Sequence, residues 1–452
     1  MPMSHSFAMA RRRAARLSVV LAAVLAAPSW AIDLSQAYQA AFDRDSTIRA
    51  ARATAESRRE RLPQARAQLL PNISAAATRF KNKLDSTTLI SGREIPSQQS
   101  YNSSTESLTL RQPIFRKFQF DDYHQAQAIV EDANATLDKE VENLVVRVGG
   151  AYFEALLAED QLMLIRAQKS AYMTQLDSAR KRFSGGAGTR TDIDEAQARL
   201  DLTIAQELEA NQAVDLARRQ LEVLIDQPVG KLASLDQSKM KLVPPDPERI
   251  EDWTQRAEES SPEIRSLKAQ REAAQYEVEK AKSGHYPTLD AIAQLSRNEN
   301  DSINTINSRY TSKAIGVQLN VPLFAGGYVN SQVRQALADL ERAEQVLEAT
   351  RRDLGVRIHR EYRGVTEGVL KVQALEQAVR SSQQAVISSR RSFEAGSRTL
   401  VDILNAEQQQ ASALRDLSQA RYVYLVSRVR LMALSGGTPS VVLDEVNGWL
   451  NP

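Results

Sequence analysis

Leu144-Val145-Val146-Arg147-Val148-Gly149-Gly150-Ala151-Tyr152 is answered 210 residues later by Leu354-Gly355-Val356-Arg357-Ile358-His359-Arg360-Glu361-Tyr362. Leu, Val, Arg and Tyr stand at matching places. The same offset carries Phe183, Gly186, Asp192, Ile193 and Ala196 onto Phe393, Gly396, Asp402, Ile403 and Ala406. Nearer the start the offset is 216, taking Ile48, Arg49, Ala65 and Pro71 to Ile264, Arg265, Ala281 and Pro287. Pro113-Ile114-Phe115 matches Pro322-Leu323-Phe324 at 209. A collinear series at so long a period is the mark of a duplicated unit, not of a solenoid.

Each copy reads as a helix, two polar-rich strands, a very long helix, a Gly-rich turn and a returning helix. The long helix of the first copy has a 4-3 spacing through Val141, Leu144, Val148, Ala151, Ala155, Ala158, Leu162 and Ile165. It resumes with Tyr172, Leu176, Ala179 and Phe183. The second copy follows Leu347, Leu354, Ile358, Val365, Val372, Leu375, Val379, Val386 and Phe393, interrupted at Arg351 and Glu361. A 3.5-residue repeat sustained that far specifies a supercoil. At 1.5 Å per residue, helices from about Lys117 to Phe183 and from Tyr328 to Phe393 would each rise roughly 100 Å.

Thr311 to Val321 alternates, with Ile315, Val317, Leu319 and Val321 on one face and Gly316, Gln318 and Asn320 on the other. Leu108 and Leu110, and Leu289, Ala291, Ala293 and Leu295, repeat the pattern; Asn72 to about Lys83 is a weaker fourth strand. Runs of about 11 residues suit tilted membrane strands, although a half-buried sheet would alternate identically. Phe80, Tyr101, Phe115, Phe118, Tyr286, Tyr310, Phe324 and Tyr328 cluster near the strand ends, as an interfacial girdle would. Four membrane strands leave two unpaired edges, which lipid does not tolerate. Eight strands from two chains would be filled by side chains, whereas twelve from three chains leave a lumen, so a channel predicts a trimer.

The chain has 452 residues, 58 Lys plus Arg, 56 Asp plus Glu, four His and no Cys. That balance gives no electrostatic case for nucleic acid, and lack of Cys excludes disulfides and thiolate sites. Arg11, Arg12, Arg13 and Arg16, the apolar run Leu17 to Ala27, and Ser29-Trp30-Ala31 read as a secretory signal peptide over 1–31. Its removal leaves 54 basic against 56 acidic side chains. No spacing among His124, His285 and His359 suggests a metal site. No phosphate loop, acid–base pair or nucleophile motif is present, so neither a catalytic activity nor a cofactor is expected.

Three stretches carry a resemblance. They are Ala37-Tyr38-Gln39-Ala40-Ala41, the turn Gly396-Ser397-Arg398-Thr399-Leu400-Val401-Asp402-Ile403-Leu404-Asn405-Ala406 with its counterpart Gly188-Thr189-Arg190-Thr191-Asp192-Ile193, and Ala420-Arg421-Tyr422-Val423-Tyr424-Leu425. Over the whole mature chain the sequence resembles the TolC family of outer-membrane channel-tunnels of Gram-negative bacteria. The resemblance implies an α+β membrane protein: a homotrimer in outer-membrane lipid with a 12-stranded barrel continuous with a coiled-coil tunnel across the periplasm. The first repeat would be 32–226, with a β-hairpin at 72–113 and a coiled-coil hairpin at 117–226. An equatorial linker at 227–262 would lead to the second repeat, 263–435, with a β-hairpin at 288–321 and a coiled-coil hairpin at 328–435. Residues 436–452 would be an equatorial tail.

The Gly-rich turns would then be periplasmic tips, with Gly186, Gly188, Gly396 and Arg190 docking a periplasmic adaptor. The resemblance implies a gate in which Arg398 holds Thr191 and Asp192. Phe393 stands where relatives carry a Tyr, and Asp402 and Asn405 stand at constriction positions. Read without the resemblance, Arg398 and Asp402 are an i,i+4 pair and Thr191-Asp192 a helix cap. The expected function is the exit duct of a tripartite system with an inner-membrane ABC transporter or other pump. Type I secretion of a protein substrate is favoured over small-molecule efflux by the tip residues and by the lack of a lipidated N-terminal Cys. A periplasmic adaptor or a coiled-coil scaffold would be the alternative outside the family.

Overall fold

A computed structural model describes residues 31–300 and 308–451. Residues 1–30, and with them all but the last residue of the expected signal peptide, lie outside the described residues. The elements run α1 Leu34–Arg44, α2 Ser46–Arg59, α3 Arg61–Ala67, β1 Asn72–Ile90, β2 Arg93–Phe115, α4 Lys117–Ser184, α5 Arg190–Ile225 and β3 Ser234–Leu235. The second half continues α6 Ile250–Ser260, α7 Pro262–Lys282, β4 Thr288–Asn300, β5 Ser308–Asn320, α8 Tyr328–Glu394, α9 Leu400–Leu434, α10 Pro439–Asn447 and β6 Leu450–Asn451. The duplication is therefore structural: a hairpin, a helix of 68 or 67 residues, a glycine turn and a return of 36 or 35. Among the described residues no helix is long and apolar enough to cross a membrane.

Contacts divide the chain into two compact units. One comprises 50–139 and 259–354 and holds the sheet. Its four antiparallel strands lie in the order β1-β2-β4-β5, so β1 and β5 are open edges. Two strands are longer than the sequence suggested: β1 has 19 residues and β2 has 23, against 13 each for β4 and β5. Between Lys83 and Tyr101 polar residues occupy both faces, so no period-2 signal marks the extension. It is closed by Ser91 (φ 47°) and Gly92 (φ 82°), the left-handed pair that a tight hairpin turn uses. Among the described residues, 81–102 run as a two-stranded ribbon past the last β2–β4 pair, Ser103↔Asn300.

Register defines the faces. Ile73, Leu110, Ala293 and Ile315 form one cross-strand row, and Phe115, Leu289 and Leu319 another on the same face. This apolar face is open: Ile315 is 90% exposed and Leu319 63%. Phe80, Tyr101 and Tyr310 fall an odd number of residues from this set and stand on the opposite face, so the aromatics near the strand ends do not share one face with Phe115. Below the sheet, Arg116 Nε donates to Asp290 at 2.8 Å and Arg111 lies 3.4 Å away. Asp290 is buried, so these cations are what make its charge tolerable there.

The other unit comprises 31–49, 140–258 and 355–451. Its seam is the one the 4-3 spacing marks: Leu144, Val148, Ala155, Ala158, Leu162, Ile165, Tyr172, Leu176 and Ala179 are buried. Matching tyrosines anchor the two long helices to irregular chain. Tyr152 donates to the carbonyls of Ile32 (2.9 Å) and Ala233 (3.1 Å), and Tyr362 donates to that of Glu248. β3 pairs with β6, and Asp236 N donates to Trp449 O at 2.9 Å, so the linker and the tail share one small layer. Leu34 N donates to Asn447 Oδ1 at 3.0 Å, tying the opening helix to the same layer. Arg147 meets the buried Asp45 at 2.7 Å. Tyr422 donates to Asp160 Oδ2 at 2.8 Å; burial raises the acid's pKa, and this hydrogen bond opposes the rise.

Candidate functional site: the tips of the two helical hairpins

Both tips solve the same backbone problem in the same way. At the end of α4, Gly186 adopts φ 76°, its N–H donates to Phe183 O at 3.0 Å, and Ala187 N donates to Arg182 O at 2.9 Å. At the end of α8, Gly396 has φ 75°, and bonds run from Gly396 N to Phe393 O and from Ser397 N to Ser392 O, both 2.9 Å. Only glycine takes that left-handed conformation without a steric penalty. Gly188 is tight for a different reason: a Cβ there would lie 3.0 Å from Phe183 N, so the neighbouring chain would have to give slightly, as the second tip does in placing Arg398 at the equivalent position.

Each returning helix opens with a capping box. Thr189 Oγ accepts from Asp192 N at 3.1 Å while Asp192 Oδ2 accepts from Thr189 N at 3.0 Å. Thr399 and Asp402 repeat the arrangement, and both the N–H and the hydroxyl of Thr399 donate to Asp402 Oδ2 at 2.8 Å. Those bonds hold the Asp402 carboxyl below its ordinary pKa, helped by the positive charge of Arg398. The cap is thus Thr189 with Asp192 at the third helical position; the sequence reading of Thr191-Asp192 as the cap is two residues late.

The expected site residues divide into two groups. Phe393 and Asn405 face the first hairpin: the Arg182 guanidinium lies 4.3 Å from the Phe393 ring centroid, and Arg199 Nη2 donates to Asn405 Oδ1 at 3.1 Å. Arg398 instead turns back along its own hairpin, donating from Nη1 to the buried Ser389 Oγ at 2.8 Å. It makes no ion pair with Asp402 in the chain. Thr191 and Arg190 are exposed, the latter pairing with Asp194 at 3.2 Å.

Residues that the sequence did not single out complete the contact. Glu407, 8% exposed, accepts from Arg390 (2.6 Å) and from Gln175 of the first hairpin (3.1 Å). The equivalent pair in the first hairpin is Arg180 to Gln197 at 3.1 Å. Gln197 to Glu407 is a place where the two copies differ in charge, a signal available from the alignment of the repeats. Beneath these polar contacts Tyr172, Leu176, Ala179, Ala196 and Leu200 of the first hairpin pack with Leu400, Ile403 and Leu404 of the second. Among the described residues no group of His, Asp and Glu is placed to hold a metal. The arrangement is a packed and hydrogen-bonded junction between two coiled-coil ends.

Comparison with known proteins gives a consistent set of likenesses. The chain matches the family described as outer membrane efflux protein twice, over residues 37–226 and 253–437. It is 34% identical over 423 residues to the alkaline protease secretion protein AprF of Pseudomonas aeruginosa, covering 93% of this chain and 86% of that protein. With the proteases secretion protein PrtF of Dickeya chrysanthemi it shares 28% over 451 residues, covering 97% and 95%. With outer membrane protein TolC of Vibrio cholerae it shares 29% over 429 residues, covering 94% and 95%. Its fold matches the crystal structure of the outer membrane protein VceC of Vibrio cholerae with a TM-score of 0.77 at 18% identity, over 89% of this chain and 96% of that one.

Proposed function

The chain belongs to the outer membrane efflux protein family, and from that premise we propose that it is the exit duct of a type I protein-secretion system. The family makes it an outer-membrane transport protein rather than an enzyme, and implies a trimeric channel within a tripartite assembly. The observation that carries the finer reading is the full-length similarity to two protease secretion proteins. Its partners are then a periplasmic adaptor and an inner-membrane ABC transporter, and its cargo is an exported protein.

The domains follow from the same reading. The exposed apolar face and open edges of β1 and β5 suit a strand set completed by neighbouring copies in lipid. Residues 227–262 and 436–452 would form an equatorial layer, and the glycine tips Gly186, Gly188 and Gly396, with Arg190, would meet the adaptor. Opening requires the second hairpin to leave the first. The resistance lies in the Arg182–Phe393, Arg199–Asn405 and Gln175–Glu407 contacts, with Asp402 and Asn405 lining the constriction.

Purification of the protein from cells co-expressing a type I adaptor and ABC transporter tests the assembly. Recovery of a complex only while a protein cargo is held in transit is expected. Stable capture by a drug-efflux pump and adaptor instead would contradict it.

A further inference from the structure

The sheet places its charge on an unexpected face. In successive rows of the apolar face, Ile73–Leu110–Ala293–Ile315 is followed by Ala75–Leu108–Leu295–Lys313, Ala77–Glu106–Arg297–Thr311 and Arg79–Ser104–Glu299–Arg309. Lys81 and Lys83 continue it up the ribbon. The interleaved rows of the opposite face are Ser74–Thr109–Gln294–Ala314, Ala76–Ser107–Ser296–Ser312 and Thr78–Thr105–Asn298–Tyr310. Those three rows hold no charged side chain; on this face charge is confined to Arg111 and Asp290 nearer the strand feet and to Arg93 at the ribbon turn. A water-filled lumen would be the cheap place for Lys and Arg; here most of them stand on the apolar face.

Height explains where on that side. Leu319 to Arg309 is ten residues of β5. That is about 33 Å along the strand, or about 25 Å along the membrane normal at a tilt near 40°, the height of a barrel's apolar band. By the same measure Lys313 stands about 15 Å up and Arg297 about 20 Å, inside the apolar band with side chains long enough to reach upward, while Arg309, Arg79, Lys81 and Lys83 rise from its upper edge into the headgroup layer. All six are exposed. Acidic residues on this face are fewer: Glu106, Glu299, which pairs with Arg309, and, toward the turn, Asp85 and Glu94. A trimer repeats the excess three times.

We propose that this basic girdle is a binding surface for phosphorylated lipid headgroups of the outer leaflet of the outer membrane. Arg79, Arg297 and Arg309 outnumber the two carboxylates beside them, Glu299 and Glu106, and arginine pairs with phosphate through two parallel N–H donors. Apolar Leu108, Leu295 and Ile315 directly beneath would take the acyl chains of the same lipid. The surface acts as an anchor that fixes the depth of the barrel, independently of what passes through it.

The test reconstitutes the full protein in phosphatidylcholine bilayers with and without a bis-phosphorylated lipid A, and measures lipid retained on the trimer by native mass spectrometry. Wild type should enrich the bis-phosphorylated lipid. The triple variant R79Q/R297Q/R309Q should lose that enrichment by on the order of a hundredfold, each arginine being worth about one factor of five near an anionic surface. Equal enrichment by the variant would overturn the proposal. In wild type alone, high KCl must weaken the enrichment; salt-insensitive enrichment would equally refute it. Inorganic phosphate displacing the lipid at matched phosphate concentration would show a free-anion site and overturn the lipid assignment.

Discussion

The guanidinium of Arg182, near the end of the first outgoing helix, lies 4.3 Å from the ring centroid of Phe393, near the end of the second. Phe393 has no hydroxyl to donate and offers Arg182 its ring face; a cation over an aromatic face at a partly exposed site is worth about 0.5–1 kcal/mol.

That contact makes the first prediction. Arg182→Ala and Phe393→Ala should each raise single-channel conductance in planar bilayers, and the double variant should add little to either. Additive increases would place the two residues in separate parts of the closure.

Arg390 and Glu407 give the second. Glu407 is buried and its Oε2 has no hydrogen-bond partner, so removing Arg390 leaves a carboxylate held only by Gln175. Arg390→Ala should cost about 1–3 kcal/mol locally, read as faster amide exchange around Ser389 and Leu404. Glu407→Gln, which keeps an acceptor and sheds the charge, should cost less.

The turns supply the third. Gly186→Ala forces a φ of 76° on an L side chain. It should loosen the first tip by about 1–2 kcal/mol, seen as faster proteolytic nicking between Ser184 and Arg190; Gly188→Ala, whose Cβ would stand where Arg398 places one in the second tip, should do so less. Gly230→Ala, whose Cβ would meet nothing within 4 Å, should leave nicking unchanged.

The fourth concerns pH. The Thr399 N–H and hydroxyl lower the pKa of Asp402 in the folded tip. A depressed folded pKa means that this carboxylate adds stability above its unfolded pKa, near 3.9, and loses it as pH falls through the lower folded value. Thr399→Ala should move the Asp402 titration, followed by carbon-13 shifts of labelled aspartate, back toward the ordinary range. An unmoved titration would contradict the capping role.

Duplication, the coiled-coil seam and the alternating strands were legible because each is a periodicity that survives in one dimension: Leu144, Val148, Ala155 and Leu162 are buried as their spacing requires. Four things were not. The ribbon beyond Lys83 has polar residues on both faces and is held by backbone pairing and a Ser91-Gly92 turn, neither of which leaves a hydrophobic period. The girdle reading of Phe80, Tyr101 and Tyr310 came from nearness to strand ends, whereas the face is set by parity in the register. At the tips Thr189 and Thr191 both suit a cap by residue type, and only backbone geometry chooses Thr189. The partners of Arg199 and Glu407 arise from packing two hairpins together, which local sequence does not encode.

What leaves the cell tests the assignment to protein secretion most directly. In a strain deleted for this gene, secretion of the cargo of a type I ABC transporter and adaptor should cease, the cargo should remain cell-associated, and the restored gene should return it to the medium. Normal protein secretion by the deletion strain, together with accumulation of small toxic compounds that the restored gene relieves, would contradict the assignment to protein secretion.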